Sequence, residues 1–175
     1  MKLEEIAIFI GETRADLLGT LASFDKSLAR AKADKDSWSV AEIIEHLGKV
    51  ERLINIALMK IKRDARDVAE SEVHKASISG ILLEIEYDQI MQLAAFPNSE
   101  PGNDVDLEDA IETLRKIREK TNEYFREGGR RAYHSYSFDH PYLGKLSFYE
   151  WFYFIGKHEE AHAKQLKMNI SKILA

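Results

Sequence analysis

The sequence predicts an all-α fold, a four-helix bundle with an irregular helical insertion between the second and third long helices. Four long segments carry apolar residues at helical spacing. Two of these segments open with a capping box, a serine followed three residues later by glutamate. Only 3 prolines and 9 glycines interrupt the 175 residues. Amphipathic helices with ordered connections pack most simply as a bundle, and we expect one domain over residues 1–175.

The first two helices are predicted from an apolar stripe and from a capping box. The first helix is expected over about residues 3–30, where one face repeats Leu3, Ile6, Ile10, Leu17, Leu21, Phe24 and Leu28. The second is expected from the cap at Ser39 to about residue 63, because Glu42 completes the capping box. Trp38 and Ile43 occupy the positions of a hydrophobic staple.

The third and fourth long helices follow clear breaks in the pattern. The break at residues 97–103 contains proline, glycine and asparagine, and the third helix is expected over about residues 106–127. Two glycines, at 128 and 129, end it. Ser147 and Glu150 form the second capping box, so the last helix should begin there and run almost to the end of the chain.

Two segments give weaker signals. Residues 66–96, which include ILLEIEYDQIMQLAAF, are interpreted as the irregular helical insertion. The short alternation in Tyr133–Phe138 is interpreted as a loop before the last helix rather than a strand.

Composition excludes several classes of function. A net charge of −5 gives no broad basic face for nucleic acid. The absence of cysteine excludes disulfides, thiolate ligands and a cysteine nucleophile. Glu4 and Glu5 stand where a signal peptide would carry positive charge, and the aromatic run at residues 151–155 is too short to span a membrane. We therefore expect a cytoplasmic protein with no membrane partner.

Three histidines lie on faces of the predicted helices that should point into the bundle. His158 and His162 are four residues apart on the last helix and lie within about 60° of the centre of its apolar stripe. His46 has the same relation to the stripe of the second helix. Neutral imidazoles are costly to bury without partners, and a shared divalent cation would satisfy all three. Three ligands leave coordination positions open, as in catalytic sites.

Other interpretations of the histidines stay open at this point. Each of the three could be a separately hydrogen-bonded core residue. His140, in FDHPYLG, could be a further ligand, a pocket residue or a structural residue. Nothing around His74 or His134 supports a role for either.

Three sequence segments resemble the DinB/YfiT-like superfamily of metal-binding four-helix bundles, and the similarity covers most of the chain. The segments are WSVAEIIEHL, FDHPYLGKLSFYEW and HEEAHAKQL, and DLEDAIETLRKIR resembles the usual third helix. The resemblance implies the metal ligands His46, His158 and His162, the same residues that helical geometry selects. It is weakest over about residues 66–96.

The resemblance implies a divalent metal cofactor. Three histidine ligands suit zinc or nickel, with iron or manganese as alternatives. The resemblance also implies an enzyme of the thiol S-transferase or hydrolase kind, acting on a small molecule such as a low-molecular-weight thiol. A metal-binding or helical association protein without turnover is the alternative, and a homodimer fits either. Gln165 is expected to support a ligand. No acid or base is identified: Glu42 has its capping role, and Glu159 and Glu160 should face solvent or a neighbouring helix.

The aromatic residues at the start of the last helix have two interpretations. Tyr149, Trp151 and Phe152 could line the mouth of the site or belong to the core.

Overall fold

A computed structural model describes residues 1–64, 78–93, 96–128 and 137–175 of the chain. Four long helices form a bundle: α1 (Leu3–Ala22), α2 (Val40–Asp64), α5 (Leu107–Gly128) and α6 (Phe148–Ile173). Smaller elements join them: α3 (Gly80–Glu84), α4 (Tyr87–Gln92) and the strands β1 (Ser137–His140) and β2 (Gly144–Ser147). The all-α fold class is confirmed. In the described ranges, no helix combines the length and apolar character needed to cross a lipid bilayer.

Both predicted capping boxes are present where the long helices begin. The backbone N–H of Ser39 donates to Glu42 at 2.7 Å, and the N–H of Glu42 donates to the Ser39 hydroxyl at 3.3 Å. The N–H of Ser147 donates to Glu150 at 2.8 Å. These contacts satisfy backbone donors that a helix start would otherwise leave unpaired, so the predicted starts of α2 and α6 are confirmed.

The helices pack in pairs around two apolar clusters. Helix α2 packs against α5 and α6, and α1 packs against α6. Gly156 allows the α1–α6 approach, because a Cβ there would lie 2.5 Å from a ring carbon of Phe9. One cluster contains the aromatic start of α6 together with Ile10 and Val50, and the other contains Leu17 and its neighbours.

A layer of buried charge lies between these two clusters and joins all four long helices. Arg118 of α5 donates to Glu51 of α2 at 2.8 Å and to Glu159 of α6 at 3.0 Å. Arg14 of α1 donates to Glu51 at 3.0 Å and also to Glu159. Thr121 donates to Glu51. The charges of two arginines and two carboxylates therefore neutralise one another. Their contacts fix the position of each helix along the bundle axis relative to the other three.

The first helix is shorter than predicted. It ends at Ala22 instead of continuing to about residue 30, and the chain then forms a short 3₁₀ turn over Lys26–Leu28. The Asp25 side chain accepts hydrogen bonds from the backbone N–H and the hydroxyl of Ser27 at 3.0 and 2.7 Å. Such local side-chain bonds compete with helix formation, which explains the end. Phe24 still reaches the core, now from the connection.

The loop predicted for Tyr133–Phe138 is wrong in its last two residues, which belong to β1. Strand β1 pairs antiparallel with β2, with Phe138 opposite Leu146 and His140 opposite Gly144. Gly144 has φ +76°, a conformation that favours glycine. A strand is stable only when it pairs with another strand. The four-residue pattern on either side of the turn is too short to predict such a pair. Residues 133–136 lie outside the described part.

The predicted insertion is helical but irregular in its described portion. Helices α3 and α4 are short and are separated by two residues, as the weak periodicity indicated. The backbone N–H of Ser79 donates to Glu150 at 2.8 Å, which ties the beginning of the described portion to the start of α6. Of the predicted range, residues 66–77 and 94–95 lie outside the described residues.

Candidate metal centre

The bundle brings the three predicted histidines together. His46 projects from α2, and His158 and His162 project from successive turns of α6; their exposed fractions are 3%, 8% and 4%. One ring nitrogen from each lies within 4.8 Å of the others. The Nε2 atoms of His46 and His158 are 3.3 Å apart. The inward placement expected from helical spacing is therefore observed for all three.

Protein acceptors fix the orientation of two of these rings. The Nδ1 atom of His46 lies 2.9 Å from the carbonyl oxygen of Ser99, and a carbonyl only accepts, so Nδ1 carries the proton. Likewise, Nδ1 of His162 donates to Oε1 of Gln165 at 2.8 Å. Both rings consequently present an unprotonated Nε2. Metal-binding histidines commonly have such a second partner.

The Ser99 carbonyl is a feature that the sequence analysis missed. Ser99 is completely buried, and its backbone N–H donates to the carbonyl of Phe96 at 2.9 Å. Asn98 in the same turn has φ +67°, the left-handed conformation that asparagine tolerates. The asparagine after Pro97 indicates a turn at this position. It gives no indication that the turn contacts His46.

Replacing Gln165 by leucine is expected to weaken metal binding by about 10–100-fold, because the His162 ring loses the acceptor that holds its tautomer. Met168→Ala, which truncates an exposed residue of the same helix, is the matched control and should bind as the parent does. Competition against a chelator of known affinity measures the change. Equal affinities for the Gln165→Leu protein and the parent would contradict the assignment.

The three imidazoles are held in the neutral form. Burial lowers the pKa of His46, lowers that of His158 well below its usual range, and lowers that of His162 to about 3. Burial disfavours the charged ring in each case. Neighbouring imidazoles also oppose a positive charge on His158 and His162, and Lys49 opposes one on His46. Neutral rings have lone pairs available for a cation. The donor set therefore fits a divalent ion of the kind that accepts nitrogen ligands.

The metal-free protein is expected to lose stability as the pH falls from 7 to 5. The unfolded chain protonates His162 below about pH 6.5, whereas the folded pKa is about 3, so the unfolded state binds more protons in this window. Protonation of this one group in the unfolded chain lowers the free energy of unfolding by about 2 kcal/mol between pH 7 and pH 5. Urea unfolding at both pH values should show a smaller loss in His162→Gln. An equal loss in the two proteins would contradict this prediction.

A pocket of about 80 Å³ adjoins the histidines. Its other lining residues come from the chain just before α2, from the insertion and from α6: Trp38, Ile90, Met91, Leu93, Phe96 and Phe154. The ring of Trp38 lies 4.6 Å from that of His46. No carboxylate lines the pocket among the described residues.

The aromatic residues weighed for the mouth of the site belong to the core. Tyr149, Trp151 and Phe152 are at most 2% exposed and pack in the first apolar cluster. The aromatic side chains that do line the pocket are Trp38 and Phe154, together with Phe96. The sequence predicts a role for Trp38 only in the hydrophobic staple. Its position next to the helix cap accounts for a tryptophan there without a pocket.

His140 is outside the three-histidine group and has a structural contact. Its Nδ1 accepts the backbone N–H groups of Tyr142 and Leu143 at 3.2 and 3.1 Å, which stabilises the β1–β2 turn. Its ring packs edge-on against Phe96 and Phe154, and burial lowers its pKa to about 4. Of the three interpretations that were open, the structural one fits these contacts.

The remaining histidines and acids do not add to the group. His74 and His134 lie outside the described residues. Glu42 caps α2, as expected, and Glu159 belongs to the buried charged layer. Glu160 is at the surface, where Lys157 donates to it at 2.9 Å.

The fold and the site together define a class, a four-helix bundle with a buried three-histidine group between its second and last long helices. The chain belongs to the DinB superfamily, whose model matches residues 10–166. It is 23% identical over 163 residues to the uncharacterized protein YuaE of Bacillus subtilis (strain 168), covering 93% of this chain and 95% of YuaE.

A solved structure supports the same fold. The crystal structure of TT2238, described as a four-helix bundle protein, superposes with a TM-score of 0.64 at 18% identity, covering 95% of this chain and 99% of that one. The family resemblance drawn from the sequence segments is confirmed by the family match.

Proposed function

We propose that the chain is a divalent-metal-dependent enzyme that acts on a small molecule, with His46, His158 and His162 as the metal ligands. The observation that carries the proposal is the convergence of three neutral imidazole nitrogens within 4.8 Å beside a pocket. Three protein ligands leave open positions for a substrate, which distinguishes catalytic from structural sites. A divalent ion in such a site supplies a Lewis acid that lowers the pKa of a water or thiol it binds.

The residues of the chain have distinct roles in this proposal. Ser99 and Gln165 hold two ligands in the tautomer that presents Nε2. Trp38 and Phe96 pack around the group and exclude bulk water from it. The absence of cysteine means that any thiol must come from the substrate. Neutral ligands leave the full charge of the ion to act on that substrate.

Thiol S-transfer and hydrolysis are the two reaction types that this arrangement supports. Purified protein loaded separately with zinc, nickel, iron or manganese should be assayed with low-molecular-weight thiols plus electrophiles, and in parallel with ester and amide substrates. Turnover that depends on added metal and disappears in His158→Ala is expected with one of these substrate sets. Metal binding without turnover in either set would contradict the enzymatic proposal.

A metal-binding protein without turnover is the second candidate. The observation that favours it is the pocket lining, in which the described residues supply no acid or base besides the histidines themselves. Proton transfer would then have to use the substrate or solvent. The assay above separates this candidate from the first, because the metal would bind but no substrate would be converted.

A further inference from the structure

The pocket beside the histidines is small compared with the ligands that such a bundle could enclose. Its volume is about 80 Å³. For comparison, an engineered apolar cavity of about 150 Å³ accommodates benzene, and a water molecule occupies about 30 Å³ in the liquid. A bound ion would take part of the same space. The part of a ligand that reaches the histidines must therefore be smaller than a benzene ring.

The lining also limits the chemistry of that part of the ligand. Apart from the three histidines, the described lining consists of apolar side chains and the indole of Trp38. Away from the ion, an ionised group placed there would lose its hydration without gaining a charged partner, which is strongly unfavourable. An uncharged alkyl group would instead replace water at an apolar surface.

The wall that sets the size of the pocket comes from the insertion. Ile90 and Met91 belong to α4, and Phe96 lies in the turn that carries the Ser99 carbonyl. Helix α4 packs on α6 through a small apolar cluster that contains Ile85, Ile90 and Ala161. Met91 packs at the edge of this cluster, outside the two main ones, so truncating it leaves the bundle core intact.

A larger groove begins on the other side of Ile90. This outer groove has a volume of about 630 Å³ and is lined by α3, α4 and α6, with charged residues of both signs: Glu84, Glu86, Asp88, Lys157, Glu160 and Lys164. Ile90 lines both the groove and the inner pocket.

We propose that Met91 and Phe96 form a size filter that admits to the metal only a small group, apolar and uncharged apart from the atom that binds the ion. The inference rests on the proposed function, since it concerns a ligand held at the ion. It assigns to the substrate a short aliphatic reactive end, with any ring or charged group outside the inner pocket. Met91 and Phe96 are thus determinants of specificity rather than ligands.

Cobalt-loaded full-length protein provides the test, because a thiolate bound to cobalt gives a charge-transfer absorption that reports binding without turnover. Ethanethiol and benzyl mercaptan are the probes. An open apolar surface would favour benzyl mercaptan, which has more apolar area to bury. The filter predicts the reverse order, with ethanethiol bound at least about tenfold more tightly, since overpacking a filled site is unfavourable.

Met91→Ala should reduce this preference to less than about threefold, because it removes side-chain volume from the wall. Met59→Ala truncates an exposed methionine of α2 outside this pocket and should keep the preference of the parent. If the chain takes up cobalt, any of three results overturns the filter alone. These are binding of benzyl mercaptan as tightly as ethanethiol or more tightly, binding of neither thiol, and a preference in Met91→Ala equal to that of the parent. A chain that takes up no cobalt overturns the proposed function, and this inference with it.

Discussion

Replacing Glu51 by glutamine is expected to lower the free energy of unfolding by about 3–5 kcal/mol, the cost of breaking a buried ion pair from one side. Glu51 accepts hydrogen bonds from Arg14, Arg118 and Thr121, and it is 3% exposed. The neutral amide would leave two buried arginines facing a single carboxylate, Glu159. Urea unfolding monitored by circular dichroism measures the change.

An exposed ion pair is the control for this prediction. Glu112 lies on the solvent face of α5 and pairs with Arg115 of the same helix at 2.9 Å. Exposed pairs contribute little to stability, so Glu112→Gln should unfold at nearly the urea concentration of the parent. A loss below about 1 kcal/mol in Glu51→Gln would show that the charged layer does not hold the four helices together as described.

Metal loading is expected to stabilise the folded chain by about 2.7 kcal/mol when the free ion is at a hundredfold its dissociation constant. The three proposed ligands come from two helices that are distant in sequence, α2 and α6, so the unfolded chain has no comparable site. For a chain of this length, the gain corresponds to a rise in Tm of about 5–11 °C. Differential scanning calorimetry with and without zinc measures it.

Two variants make this second prediction specific to the site. His158→Ala removes a proposed ligand and should show no metal-dependent rise in Tm, although its metal-free stability will also differ from that of the parent. His140→Ala removes a histidine that lies outside the group and should retain the rise. A rise of equal size in the parent and in His158→Ala would show that the ion binds elsewhere.

The helices could be predicted where the signal lies in residues close together in sequence. Amphipathic periodicity and the capping boxes at Ser39 and Ser147 were enough for α2 and α6, because helix starts depend on neighbours in sequence. The end of α1 was misjudged because apolar residues such as Phe24 continue the helical spacing beyond Ala22, although they reach the core from a turn. The β1–β2 hairpin depends on pairing across a turn, which four-residue strands scarcely indicate.

The histidine group was predictable because each of its three histidines could be assigned to an inward face separately. Its supporting contacts were not predictable in the same way. The Ser99 carbonyl is 53 residues from His46 in sequence, and a backbone acceptor has no side-chain signature. The charged layer did have a signal, an arginine or glutamate on or beside the apolar stripe of each long helix. A single such residue resembles a solvated position, and only the packed bundle shows that Glu51 and Glu159 face Arg14 and Arg118.

The most direct test of the metal centre is elemental analysis of purified protein beside His46→Ala and His158→Ala. We predict about one divalent ion per chain in the parent, because three converging ligands from α2 and α6 would hold a single ion. Both variants should lose that ion. Circular dichroism should confirm that the variants keep the helical content of the parent. Undiminished metal content in both variants would contradict the assignment of His46, His158 and His162 as the metal ligands.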